Sequence, residues 1–189
     1  MKTQAMDKAK TAVNDCLYPF ETLQVEQGYP STAQFKVVRY PNGKRGGIKA
    51  RIDFDSRVRI ALVSGYAVSE RRAHTLQLSP RIHLYDRWFC GLIRHSCKPN
   101  VLLDTTYMEL WTLNTITAGS LLTLDYAITE DALYRQFACH CGELNCRGWI
   151  TGSKEPLNAQ GLAWWRENKG PRLRPTDAGG TAAAVARSH

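Results

Sequence analysis

The chain has 189 residues, 43% of them hydrophobic, and a formal net charge of +8. That length is enough for one domain with a real core plus tails. No apolar run reaches the about 18 residues a membrane span needs, so no membrane partner is expected. Met1 to Lys10 carries charge with no apolar stretch behind it. No secretory signal is read there, and a soluble intracellular protein, cytoplasmic or nuclear, is expected.

The basic balance permits contact with nucleic acid without showing it, and no helix-in-groove motif supports such a reader. The charge is unevenly spread. Lys36 to Lys98 holds 14 Lys and Arg against 4 acids. Pro99 to Tyr134 holds no Lys or Arg but five acids: Asp104, Glu109, Asp125, Glu130 and Asp131. Two readings stay open: solvated acidic faces, or a groove for a cationic peptide.

In chain order, Ala5, Met6, Ala9, Val13 and Leu17 recur near helical spacing and predict a short amphipathic helix over 2–17. Tyr18 to Ser31, with Pro19, Gly28 and Pro30, reads as loop. Phe35 to Tyr40 is a β-rich run closed by a Pro41-Asn42-Gly43 turn. Ile48, Ala50, Ile52 and Phe54 alternate on one face, as do Val58, Ile60 and Leu62. Shorter strands are expected at 66–68, 75–78, 82–84, 100–103, 108–113 and 121–124, with a helical turn within 86–93. This spacing predicts a mainly β domain of several small sheets and argues against a doubly wound nucleotide fold. A helix is expected within 156–168. The Gly-, Ala-, Pro- and Arg-rich stretch 170–189 is expected to be disordered.

Three stretches carry chemistry. They are Arg94-His95-Ser96-Cys97-Lys98-Pro99-Asn100, Thr123-Leu124-Asp125-Tyr126, and the run from Cys139 through His140, Cys141, Gly142, Glu143, Leu144 and Asn145 to Cys146. Three of the six cysteines crowd into that last run as Cys-x-Cys-x4-Cys. Loops so short hold disulfides badly but suit thiolates around Zn²⁺, which needs four ligands in a structural site. His140, between two ligands, is a poor fourth. Cys16 and Cys90 read as packing thiols.

In this order, the three stretches resemble a SET-domain protein-lysine N-methyltransferase with a post-SET zinc segment. The resemblance covers about Phe35 to Gly152. It implies the SET-domain (β-clip) fold: mainly β, several small sheets, a knot-like crossing, short helices and a C-terminal zinc loop. The implied divisions are 1–33 for the N-terminal helix and loop, 34–134 for the SET domain, 135–152 for the post-SET segment, and 153–189 for a helix and tail.

The resemblance implies Cys97 as the fourth zinc ligand beside Cys139, Cys141 and Cys146. It implies S-adenosylmethionine as cofactor, bound at the glycine turn (Arg45, Gly46, Gly47), at Arg94 and His95, and under Trp149. Tyr126 would face the site of methyl transfer, with Val63 and Leu124 lining the lysine channel. The implied partner is a protein substrate with a target lysine, a histone tail among the candidates. The chain departs from the family pattern in four places. Arg45 stands for the first glycine, and Arg94 for an asparagine. Val63 replaces a channel tyrosine, and Leu124 an aromatic. These departures suggest either room for more than one methyl, or a weakened or inactive relative that binds peptide or chromatin.

Overall fold

A computed structural model describes residues 15–41 and 45–169. Most of the expected N-terminal helix, the heart of the Pro41-Asn42-Gly43 turn and the tail 170–189 lie outside the described residues.

The fold is mainly β, built as five small sheets with two short α-helices among the described residues. β1 (Phe35–Arg39) and β2 (Arg45–Ala50) pair antiparallel. β3 (Arg59–Leu62), β9 (Glu109–Thr112) and β8 (Val101–Asp104) form one three-stranded sheet in that order. β4 (Tyr66–Val68), β6 (Ile82–Tyr85) and β5 (Thr75–Ser79) form a second. β7 (Arg94–His95) and β10 (Thr123–Leu124) are a parallel pair, with Thr123 opposite Arg94 and Leu124 opposite His95. β11 (Phe137–Ala138) and β12 (Trp149–Ile150) pair antiparallel. Helix α1 spans Tyr126–Thr129, and α2 spans Ala159–Lys169. No helix among the described residues is long and apolar enough to cross a membrane.

The alternation read over 48–54 breaks at Ile52. β2 stops at Ala50, Ile52 is 45% exposed, and the chain bends before Phe54 re-enters by a bridge to Ile116. Hydrogen bonds away from the hairpin impose the bend: Phe54 N–H donates to the Ile116 carbonyl, and Asp53 accepts from the Ala118 N–H. The helical turn expected within 86–93 is a 3₁₀ turn at Cys90–Leu92.

Aromatic rings anchor the main core. Phe35 stacks on Phe54 at 5.3 Å and leans on Phe89 at 4.9 Å, and Ile48, Leu110 and Leu122 are buried around them. A second, smaller cluster gathers Leu133, Cys139 and Ile150, and Tyr126 packs against both clusters.

Candidate active site

Tyr126 is fixed from three sides. Asp125, just before it, caps α1 by accepting the Ala127 N–H at 3.1 Å. The Tyr126 hydroxyl donates to the Ile93 carbonyl at 2.5 Å. Its main-chain N–H donates to His95 Nδ1 at 3.3 Å. Burial, reinforced by Cys90 and Glu130, pushes the phenol well above its ordinary pKa, so it stays a neutral hydroxyl at neutral pH.

The Ile93 carbonyl is positioned by a residue that no motif marks. Asp86 is fully buried, and its carboxylate accepts the N–H groups of Trp88, Phe89 and Cys90 at 2.8, 2.9 and 2.6 Å and the Tyr18 hydroxyl at 2.9 Å. These bonds hold the 3₁₀ turn that ends at Ile93. Burial pushes the Asp86 carboxyl up, against the pull of those donors. The one available sequence signal was an aspartate opening the aromatic-rich stretch Asp86-Arg87-Trp88-Phe89-Cys90.

Asn100 stitches the crossing that carries the phenol. Its side-chain amide donates to the Leu121 carbonyl at 2.8 Å and accepts the Thr123 N–H at 2.8 Å. With the parallel β7–β10 pair, this locks residues 94–100 against 121–126.

The structure brings all four predicted thiols together. The Sγ atoms of Cys97, Cys139, Cys141 and Cys146 lie within 4.8 Å of one another, and Cys97 and Cys139 are 3.9 Å apart. Zn–S bonds of about 2.3 Å at tetrahedral angles put sulfurs about 3.8 Å apart, so this donor set fits zinc. None of the four is in a disulfide. Their surroundings favour thiolate on Cys141. Burial raises its pKa, but N–H groups of Cys97 and Glu143 and the neighbouring thiols outweigh this and pull it down to about 6.

His95 joins this cluster to the phenol. Burial, helped by Arg147 and resisted by Asp125, pulls its pKa down to about 4, so its 3.8 Å approach to Asp125 is not an ion pair at neutral pH. Because Nδ1 accepts from Tyr126, the ring proton belongs on Nε2, which points at Cys97 Sγ at 3.5 Å. The Arg147 N–H reaches the same sulfur at 3.4 Å, while its guanidinium pairs with Asp125. Such outer contacts orient metal ligands.

Two clefts meet at Tyr126 and Phe137, which line both. The wider, about 850 Å³, is bounded by Tyr40, Arg94, His95, Leu121 and His140. The narrower, about 350 Å³, lies among Arg71, Leu76, Ile93, Glu130 and Arg135.

The glycine turn lies behind Tyr40 and Arg94, so that Gly46 and Gly47 are not among the lining residues of either cleft, and Arg94 closes on it. Its guanidinium hydrogen-bonds the Gly46 carbonyl and the Tyr40 hydroxyl. A Cβ at Gly47, which adopts φ +138°, would stand 3.3 Å from Arg94 Nε. Arg45 enters through its backbone in β2.

Three predicted residues lie elsewhere. Val63 and Leu124 are buried in the main core and are not among the lining residues of either cleft. Trp149 packs on Trp164 of α2 at 6.3 Å and donates to Gln136 at 3.1 Å, lining a separate surface cleft with Trp165 and Leu157. Gly161 of α2 leaves it room, since a Cβ there would meet its Nε1 at 2.5 Å.

No protein-family model matches the chain. It is 31% identical over 89 residues to the histone-lysine N-methyltransferase ASHR3 of Arabidopsis thaliana, covering 44% of this chain and 18% of that protein. It is 39% identical over 72 residues to the histone-lysine N-methyltransferase met-2 of Caenorhabditis elegans, covering 32% of this chain and 6% of that protein. It is 35% identical over 63 residues to the methyltransferase flvH of Aspergillus flavus, covering 32% and 35%. The matches thus span well under two thirds of each relative. Among solved structures, KRYPTONITE in complex with mCHG DNA and SAH aligns with a TM-score of 0.49 at 21% identity, covering 61% of this chain and 28% of that one. The methyltransferase domain of human SETMAR, a histone-lysine N-methyltransferase, aligns at 0.47 with 13% identity, covering 62% and 58%. The chain has homologues among the histone-lysine methyltransferases, the class its three motifs resemble.

Proposed function

We propose that this chain is a SET-domain protein-lysine N-methyltransferase, moving methyl groups from S-adenosylmethionine to a lysine amine of a protein. The observation that supports it most is the shared wall. Tyr126 and Phe137 border two clefts, so ligands entering from each would meet at one phenol. The wider cleft offers the aromatic faces of Tyr40 and Phe137 and the Arg94 guanidinium, which suit a heteroaromatic base and a carboxylate. S-adenosylmethionine, when bound, supplies a methyl carbon on a sulfonium.

The chain's own residues position the reaction. The amine must be neutral, although free lysine has a pKa of about 10.4. The apolar lining of Leu76, Ile93 and Phe137 disfavours the ammonium. An amine held there would take up that methyl group as the sulfur leaves as a neutral thioether, and would then shed its proton to water. Tyr126, donating to Ile93, keeps lone pairs for weak C–H···O contacts that orient the methyl. Cys97, Cys139, Cys141 and Cys146 would hold one zinc ion; with four sulfurs around it, its part is architectural. Where the resemblance expects a channel tyrosine and an aromatic, Val63 and Leu124 are core residues that send no ring into either cleft; on that absence we infer product beyond one methyl. Mass spectrometry showing strictly monomethyl product refutes that.

A histone tail is the substrate candidate that the relatives' names supply. The test is incubation with labelled S-adenosylmethionine, histones and lysate proteins. Label should appear on lysine, disappear with Tyr126→Phe, and leave cofactor binding by calorimetry intact. One observation favours a second reading, a weak or inactive peptide- or chromatin-binding relative: Arg94 occupies the Gly46 carbonyl. Absence of cofactor heat would select it.

A further inference from the structure

The geometry points to a specificity for lysines flanked by acidic residues, read by guanidinium groups of the narrower cleft. This rests on the methyltransferase reading only in taking that cleft as the lysine's entrance. Two separate stretches bring arginines to it: Arg71 and Arg72 ahead of β5, and Arg135 between α1 and β11. Among the described residues, neither Arg71 nor Arg135 makes an ion pair, although Arg71 is near enough to Glu130 and Glu155 to favour their ionised forms. The Arg71 Nε is buried and makes no hydrogen bond. Arg72 lies over the Tyr85 ring at 4.1 Å, which engages its face and leaves its N–H edge. Guanidinium groups with unused donors are matched best by carboxylates.

Only one acid, Glu130, lines this cleft. It is buried, and one of its oxygens is taken by the Gln77 N–H at 3.0 Å. The other acids of the 99–134 stretch are engaged elsewhere. Glu109 pairs with Arg59 at 2.7 Å, Asp131 with Lys154 at 3.1 Å and Asp125 with Arg147. Asp104 accepts the N–H groups of Thr106 and Tyr107. Among the described residues, the acids of the 99–134 stretch therefore do not gather into a groove at this cleft. The apolar interior takes a lysine's methylene stem, and the arginines face what flanks it.

The test uses the full chain and three labelled peptides with one central lysine, flanked by Asp/Glu, by Ser/Gly, or by Lys/Arg. Fluorescence anisotropy should show the acidic peptide binding about 10-fold or more tighter than the others at low salt, with the gap narrowing as salt rises. Arg71→Glu with Arg135→Glu should reverse the order. Arg135→Gln alone should shrink the gap while leaving the melting temperature unchanged. Equal binding of the three, or preference for the basic peptide, overturns the inference. So does a duplex oligonucleotide that binds more tightly than the acidic peptide and loses its affinity with the same variants. Methylation of the three peptides is followed separately by mass spectrometry. Acid-selective binding without methyl transfer upholds this inference and sinks the enzyme reading. Methylation that favours basic flanks does the opposite.

Discussion

The two clefts beside Tyr126 are built on different principles. The wider is lined largely by motif residues: β7 with the stretch that follows it to Asn100, and the loop that carries Cys139 and Cys141. The narrower rests on the Asp86-anchored turn and on arginines that belong to no motif. The residues on which the family resemblance rests are thus concentrated on one side, and the arginines that no motif marks on the other. Perturbations that act on one side only will show whether that division is real.

The largest effect is expected from the metal. Structural zinc contributes on the order of 10 kcal/mol to folding in small sites. Chelation, or Cys139→Ser, should release the 137–150 wall and abolish cofactor heat in calorimetry, while hydrogen exchange in β5 and β6 changes far less. Metal analysis should find zinc bound to the four sulfurs. Next is Tyr126→Phe, which removes the one hydroxyl shared by both sides. Methyl transfer should fall by about 100-fold or more, on the scale of other lost active-site donors. Peptide and cofactor affinities should hold.

Asp86→Ala strikes the narrower side from beneath. Three buried N–H groups and the Tyr18 hydroxyl would lose their acceptor. A loss of about 3 kcal/mol is expected in denaturant unfolding. Arg94→Ala strikes the wider side alone and frees the Gly46 carbonyl. A change of a few-fold in cofactor affinity is expected, and acidic-peptide affinity should not move.

The smallest effect is pH-dependent. Burial raises the Glu130 pKa from 4.5 to about 7, with Gln77 and Arg71 opposing and Asp131 reinforcing. Its folded value lies above its unfolded one, so the native state binds the proton more tightly. Stability should therefore fall as pH rises from 4.5 through about 7. Glu130→Gln keeps an acceptor for the Gln77 N–H and should flatten that slope, read as melting temperature at pH 5 and pH 8.

The clustering of the 139–146 cysteines and the place of Tyr126 beside the 94–100 stretch were legible in the sequence, because both sit in motifs of fixed residue types in a fixed order. Cys97 needed the family resemblance, since 42 residues separate it from Cys139. Most strands were legible from alternation. β7, β11 and β12, two residues each, are too short to show a period. They exist because tertiary partners hold them. Tyr126, just past the strand expected at 121–124, opens α1, because Asp125 caps it. Trp149 read as a lid on the cofactor, yet its ring serves α2; an aromatic after a glycine looks the same in sequence either way. Arg71, Arg72 and Arg135 belong to none of the three motifs. Only the fold shows that they converge.

The parallel pairing of β7 with β10 also bears on the order of assembly. Residues 94–95 must find 123–124 across the intervening β8–β9 hairpin. Closing so long an excursion before the hairpin exists is entropically unfavourable. Once β8 and β9 zip together, the ends are already neighbours. The phenol should therefore reach its native seat late in refolding, and a destabilised hairpin turn at 105–107 should slow the return of activity more than the return of β-sheet signal.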